Sequence, residues 1–405
     1  MTSIIENIWD LVKKADEVLE GVIHRTPLSH SYSFSKMSSG EVYLKQENMQ
    51  KTGSFKVRGA YFKLYRNLEK ARSRGVITAS SGNHAQAVAY SSMKMGIPAT
   101  IVMPITTPVY KVNATKSYGA KVILHGDVYD DAYKKAMEIQ ENEKLLFIHP
   151  FNDPEVIAGQ GTIGIEIARE LRDIDYVVVP IGGGGLISGI GTAIKKMLGN
   201  SVKVVGVEPK NAPKYYESRK ANKILSIKPK PSLADGVVTK SVGELTFEIM
   251  SEVVDDVVLV DEDAIARAMV LLMERAKIVV EGAGALPLAA IIGGYLDVTN
   301  KNVITVLSGG NVDLTTIYRI IMRGLTVEDR IFRVRVLLRD VPGALNEILT
   351  IFASNRCNIV DIKHDRMDPY VIPGYASVEI TFEAPDRESY NKVINEIKSR
   401  GITLL

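Results

Sequence analysis

A chain of 405 residues with a formal net charge of +3 is nearly charge-balanced. At about 150 residues per domain it has room for two or three domains with ample core. No long basic run or aromatic platform marks a nucleic-acid partner, and no apolar run is long enough to span a bilayer. The single cysteine, Cys357, excludes a disulfide framework and CxxC zinc sites, and the six histidines show no HExxH or paired-ligand spacing.

The amphipathic, acidic N-terminal stretch lacks an apolar signal core, so a cytoplasmic protein is expected. Ile8, Leu11, Val12, Ala15, Val18 and Leu19 recur at helical spacing and predict a helix over 6–22. "TPLSHSYSFSKMSSG" (26–40) reads as a loop-rich stretch and "EVYLKQE" (41–47) as a short strand. "TGSFKVRGA" (52–60) then places Lys56 in the opening turn of a helix. Such a lysine is either an ordinary solvated cation or a reactive amine. The positive end of the helix dipole disfavours an ammonium there and lowers its pKa. A neutral amine can attack an aldehyde and later act as a base.

Beyond this point one grammar repeats. Residues 75–96, 99–126, 176–199 and 302–321 combine short β-branched runs, loops and helical segments. That alternation predicts an α/β fold with parallel sheets covered on both faces. Near residue 328 the order changes to βαββαβ, which predicts a compact ferredoxin-like unit and a domain boundary at 325–330.

Parallel sheets bind ligands at the carboxyl ends of their strands. Three glycine-bearing loops should end there: "SSGNH" (80–84), "GGGGL" (182–186) and "SGGN" (308–311). In the second, Gly182, Gly183, Gly184 and Gly185 precede a helix, which makes an anion site fit for phosphate. No Lys-Ser/Thr follows as a P-loop requires, and Ile187 stands where the dinucleotide fingerprint needs its third glycine. Glu208 ends the next strand where a ribose-binding acid would sit, so a dehydrogenase competes. That reading leaves Lys56 without a task. A Schiff-base lysine beside a one-phosphate site is what pyridoxal phosphate requires.

The motifs "KxENxQxTGSFKxRGA", "SSGNHAQAVA", "PIGGGGLISG", "VEP", "ADGV" and "SGGN", in this order, closely resemble threonine and serine dehydratases and the related serine racemases, which are fold-type II pyridoxal-phosphate enzymes. The resemblance covers residues 5–325, and "RDVPGAL" and "NIVDI" resemble an ACT regulatory domain at 328–405. It implies a tryptophan synthase β-like catalytic region of two doubly wound domains, the large one at 1–45 and 150–325 and the small one at 46–149. It makes Lys56 the Schiff-base lysine, with Phe55 against the cofactor ring and Asn83 on the ring's 3′-oxygen. Backbone amides of Gly182, Gly183, Gly184, Gly185 and Leu186 would hold the phosphate, and Ser308 would face the pyridine nitrogen. Ser80, Ser81, Gly82 and His84 would surround the substrate carboxylate; for His84 a packed or helix-capping role stands equally open.

Placed by the resemblance, Ser308 matters chemically. A hydroxyl cannot keep the ring nitrogen protonated as an aspartate would, which favours prompt loss of a β-leaving group over transamination. Ser81 stands where dehydratases of the family often carry alanine and racemases carry a serine that serves as a second acid/base. The divalent-cation positions of the racemases read Glu208, Ala212 and Lys214. A lysine is no cation ligand, so a monovalent cation on Glu208 and Ala212, or none, is expected. The implied activity is deamination of L-threonine to 2-oxobutanoate, with L-serine as a second substrate. A serine or threonine racemase is the alternative, and a vestigial amino-acid sensor a third reading. The resemblance further implies isoleucine or valine as effector at "DVPGA" (340–344), and a homodimer or homotetramer paired through ACT edge strands.

Overall fold

The computed structural model describes residues 3–405 and divides into two compact units, separated after Leu314. The first unit opens with the helix Ile4–Leu19. The Ser3 hydroxyl accepts from the Glu6 amide to cap it, and Ile5, Ile8, Val12, Ala15 and Leu19 form its buried stripe.

Two sheets form the rest of this unit. The larger has six strands in the order Leu28–His30, Glu41–Lys45, Asn302–Val306, Tyr176–Pro180, Lys203–Pro209 and Asp256–Val260. Only its first strand runs antiparallel. Its central strands are runs of buried valine and isoleucine, as burial on both faces demands. The smaller sheet is wholly parallel, in the order Lys121–Leu124, Ala99–Met103, Val76–Ala79 and Leu146–Phe147. The strands Val76–Ala79, Tyr176–Pro180 and Asn302–Val306 each run out, at their carboxyl ends, into one of the three glycine loops.

The second unit begins with the helix Leu314–Val327 and continues as a βαββαβ fold. Its antiparallel sheet has the order Asn358–Asp365, Tyr375–Glu383, Ile331–Arg339, Thr403–Leu404, and Val336, Ile348, Phe352, Val378, Ile380, Val393 and Ile397 form its core. This is the ferredoxin-like arrangement.

One expectation needs correcting. The stretch 26–40 is not a loop: it holds the antiparallel edge strand Leu28–His30 and the helix Tyr32–Ser38. Its serines, which read as turn formers, donate back to helix carbonyls, Ser35 to Ser31 and Ser38 to Phe34, while Phe34 is buried. The contact division between the units falls after Leu314, at the first residue of the helix Leu314–Val327.

Candidate active site

The helix carrying Lys56 begins at that residue, Lys56–Arg66. A buried polar network seats it. The Arg58 guanidinium donates two hydrogen bonds to Glu47 (2.8 and 2.7 Å) and two to Glu166 (2.6 and 3.1 Å). Lys45 donates to Glu166 at 2.6 Å and to the Thr26 carbonyl at 2.7 Å. The two cations and two carboxylates compensate one another, which is the condition for burying them at all. They tie the start of this helix to the strand Glu41–Lys45 and to the helix Pro154–Glu170.

So fixed, the Lys56 Nζ donates to the Pro150 carbonyl at 2.7 Å and lies 5.1 Å from the Phe55 ring centroid. Burial pushes its pKa down from 10.5 to about 8, against the opposing pull of Glu281. A useful fraction of the amine is therefore neutral near pH 8, as a nucleophile or base needs.

Three loops meet around it. Ser54 pairs with Gly309 as an antiparallel bridge, Phe55 donates its amide to the Ser308 carbonyl at 3.1 Å, and Gly310 donates to the Gly53 carbonyl at 2.9 Å. Asn311 donates to the Thr52 carbonyl and to the Asn83 side chain, both at 2.7 Å. Asn83 in turn donates to Glu281 at 2.7 Å, and the Glu281 amide donates to the Gly309 carbonyl. Asn83 opens the helix Asn83–Met95, and Ser80, Ser81 and Gly82 form the turn before it, where the Gly82 amide donates to the Ser80 hydroxyl at 3.3 Å.

The glycine loop joins through Pro150–Asn152. A Cβ on Gly183 would lie 2.2 Å from the Phe151 ring, so only glycine lets the loop close on that ring. Gly184 has φ +97° and caps the helix Gly185–Leu198, a conformation that favours glycine. The amides of Gly182, Gly183, Gly184, Gly185 and Leu186 have no protein acceptor among the described residues, and all but Gly182 are buried. Buried N–H groups without acceptors are rare, and a run of them at a helix N-terminus is an anion cradle. This is the observation that makes a phosphate-bearing cofactor fit.

Sequence reasoning missed Glu281. It is buried at the N-terminal boundary of the helix Gly282–Ile292, and burial, aided by Asp235, lifts its carboxyl to about 7. Its signal was there to find: one acid inside the apolar, glycine-rich run "IVVEGAGALPLAA". His84 is buried, with Nε2 donating to the Ile148 carbonyl at 3.0 Å and its pKa driven down to about 3 by burial, so the ring is neutral. His149 is likewise held near 4, and its Nδ1 accepts from the Phe151 and Asn152 amides.

At Glu208 and Ala212, where a monovalent cation or none is expected, a side-chain nitrogen of the chain itself faces the oxygens. The Lys214 ammonium occupies their oxygens, at 2.9 Å from Glu208 Oε1 and 3.4 Å from the Ala212 carbonyl. No cluster of three or more His, Cys, Asp or Glu able to hold a metal occurs among the described residues.

A half-buried lysine of depressed basicity, joined through Pro150 and Phe151 to a loop of bare amides at the mouth of an α/β sheet, defines an enzyme built around a phosphorylated carbonyl cofactor. The chain belongs to the pyridoxal-phosphate dependent enzyme family, whose profile matches residues 19–309, and residues 332–401 match the ACT domain. It is 46% identical over 390 residues to an L-threonine ammonia-lyase of Thermotoga maritima, covering 96% of this chain and 97% of that protein. Among solved structures it is similar to threonine deaminase isoform 2 from Solanum lycopersicum, with TM-score 0.75 and 35% identity over 78% of this chain and 88% of that one. It is also similar to maize serine racemase, with TM-score 0.73 and 35% identity over 79% of this chain and 98% of that one.

Proposed function

We propose that the chain is a pyridoxal-phosphate-dependent L-threonine ammonia-lyase that converts L-threonine to 2-oxobutanoate and ammonia, and L-serine to pyruvate and ammonia. What carries this reading is the pairing of the Lys56 amine, held near pKa 8, with the acceptor-free amides of Gly182 to Leu186. When bound, the cofactor supplies an aldehyde for the substrate amine and a conjugated ring that accepts the electron pair left at Cα.

Each residue has a proposed task. The loop amides hold the phosphate. Lys56 would hold the cofactor's aldehyde carbon and would take the α-proton of the amino acid. Phe55 would back the ring and Ser308 would face its nitrogen as a neutral partner. Asn83, already oriented by Asn311 and Glu281, would donate to the ring oxygen. Ser80, Ser81 and Gly82 hold the substrate carboxylate. The buried, neutral His84 favours a packing role beneath that turn over substrate contact. Residues 46–149 form the small domain of the catalytic region, with 1–45 and 150–325 in the large one and 328–405 as the regulatory unit.

The ACT unit supports regulation by isoleucine or valine at residues 340–344, and its exposed edge strand Asn358–Asp365 supports pairing into a homodimer or homotetramer. No helix is long and apolar enough to cross a membrane among the described residues, and a cytoplasmic location accords with that. The second reading is a serine or threonine racemase, favoured by Ser81 and by the likeness to maize serine racemase.

One experiment separates them: incubate the protein with L-threonine and L-serine and quantify 2-oxo acids and D-amino acids in the same samples. The lyase predicts dominant 2-oxobutanoate from threonine, abolished by Lys56→Ala. Abundant D-serine with little oxo acid would replace the lyase by the racemase.

A further inference from the structure

Beneath the glycine loop lies a charge pair that the proposed chemistry does not use. Lys214 and Glu208 have no exposed side-chain surface. The Lys214 Nζ donates to Glu208 Oε1 (2.9 Å), the Ile181 carbonyl (2.8 Å) and the Ala212 carbonyl (3.4 Å). Three acceptors and no donor surround this nitrogen, which suits an ammonium with three hydrogens and not an amine with a lone pair. The carboxylate is equally committed: Oε1 also accepts from the Tyr215 amide at 3.0 Å and Oε2 from the Tyr216 amide at 2.8 Å.

A carboxylate and two backbone carbonyls converging on one point make a set of oxygens that would otherwise suit a hard cation. Ile181, one of the three, immediately precedes Gly182. In a trans peptide the carbonyl and the following N–H lie in one plane and point in opposite directions. Anchoring the Ile181 oxygen on Lys214 therefore fixes the Gly182 N–H away from it. The pair is neutral overall, so what it supplies to the loop is orientation rather than net charge.

We propose that Lys214 is a tethered cation that takes the place of a metal ion beneath the phosphate-binding loop, making cofactor binding independent of dissolved cations. Lys214 is a positioning residue that acts through Ile181 and Gly182. The proposal rests on the cofactor reading above.

The test titrates pyridoxal phosphate into the cofactor-stripped full chain, followed by absorbance, in potassium, sodium, ammonium, magnesium or tetramethylammonium buffers. The wild-type protein should bind with one affinity in all of them, chelator included. Lys214→Ala opens a space lined by the three oxygens. Its affinity should fall about tenfold or more, the scale seen when a group that orients a binding ligand is lost, and potassium, ammonium or magnesium should restore it where tetramethylammonium does not. The double variant Lys214→Met/Glu208→Gln keeps the volume without charge; it should bind weakly and ignore every cation.

Cation dependence of the wild-type protein overturns the proposal. So does Lys214→Ala binding as tightly as wild type, or weakly with no rescue. If Lys214→Ala does not fold, wild-type cation independence with a weak, cation-blind double variant upholds the proposal, and a double variant that binds as wild type overturns it. If the wild-type protein takes up no pyridoxal phosphate, the cofactor reading fails instead, and the same series with inorganic phosphate decides the role of Lys214.

Discussion

Burial acts in opposite directions on two ionisable side chains of the candidate site, Lys56 and Glu281. It lowers the Lys56 amine from 10.5 to about 8 and lifts the Glu281 carboxyl from 4.5 to about 7. Between pH 4.5 and 7 the folded protein holds a proton on Glu281 that the unfolded chain has lost, so stability falls as pH rises. Between pH 8 and 10.5 the unfolded chain holds a proton on Lys56 that the folded protein has lost, so stability rises with pH. The contribution of these two groups to the cofactor-free protein is thus lowest between pH 7 and 8. Glu281→Gln keeps an acceptor for Asn83 and removes the first slope. Melting curves of the cofactor-free protein should show this variant more stable than wild type at pH 8 and no more stable at pH 4.5. Equal pH profiles would sink the assignment. The same substitution removes the anion that raises the Lys56 pKa. The midpoint for cofactor capture, followed by absorbance against pH, should then move below that of the wild-type protein.

At the scale of elements, the site depends on where the helix Lys56–Arg66 and the glycine loop are held. Arg58→Ala leaves the buried carboxylates of Glu47 and Glu166 with Lys45 as their only cation among the contacts of that network. The expected loss is about 3–5 kcal/mol, measured by urea unfolding, as for any broken buried pair; a loss under about 1 kcal/mol would mean the network is no more than a surface-grade pair. Gly183→Ala drives a methyl into the Phe151 ring, 2.2 Å away. Overpacking of about 1–3 kcal/mol follows, and since Pro150 beside that ring accepts from Lys56, cofactor affinity should fall with it. Unchanged affinity would show that the loop and the ring yield independently. Much of this arrangement was legible beforehand. Short β-branched runs ending in glycine announce strand–loop–helix units whatever their neighbours, so the three loops and the βαββαβ order could be read directly. The helix Tyr32–Ser38 could not, because its serines satisfy the helix by back-donation, a choice made by the burial of Phe34. Glu281 escaped because its meaning lies in Asn83 and Lys56, more than 190 residues away along the chain, as the hydrogen bond at a separation of 198 residues shows. The place of Lys214 was not legible either, since it required Ile181, Glu208 and Ala212 to be seen around one nitrogen.

At the scale of the whole chain, a catalytic unit and an ACT unit share one polypeptide, and only a coupling free energy between their ligands would make that covalent union regulatory. The proposed effector turn has features suited to a ligand. Gly343, at φ +90°, caps the helix Ala344–Ser354, and a Cβ there would meet open space. Asp340 is held by Arg366 at 2.9 Å, and its amide donates to the Gly374 carbonyl. Isoleucine titrated into the full chain should give saturable binding heat and a matching inhibition of 2-oxobutanoate formation. Gly343→Ala strains the left-handed turn by about 1–2 kcal/mol without filling a contact. It should weaken the isoleucine response while leaving the uninhibited kcat at the wild-type value. Reciprocity supplies the stricter check. If isoleucine weakens binding of an unreactive threonine analogue by some factor, the analogue must weaken isoleucine by the same factor. Two binding titrations, each repeated at saturation with the other ligand, measure both. Equal factors above one define inhibition through coupled sites. Isoleucine heat with a factor of one would make the ACT unit a binding module without control over catalysis, and no heat at all would leave it the task of assembly.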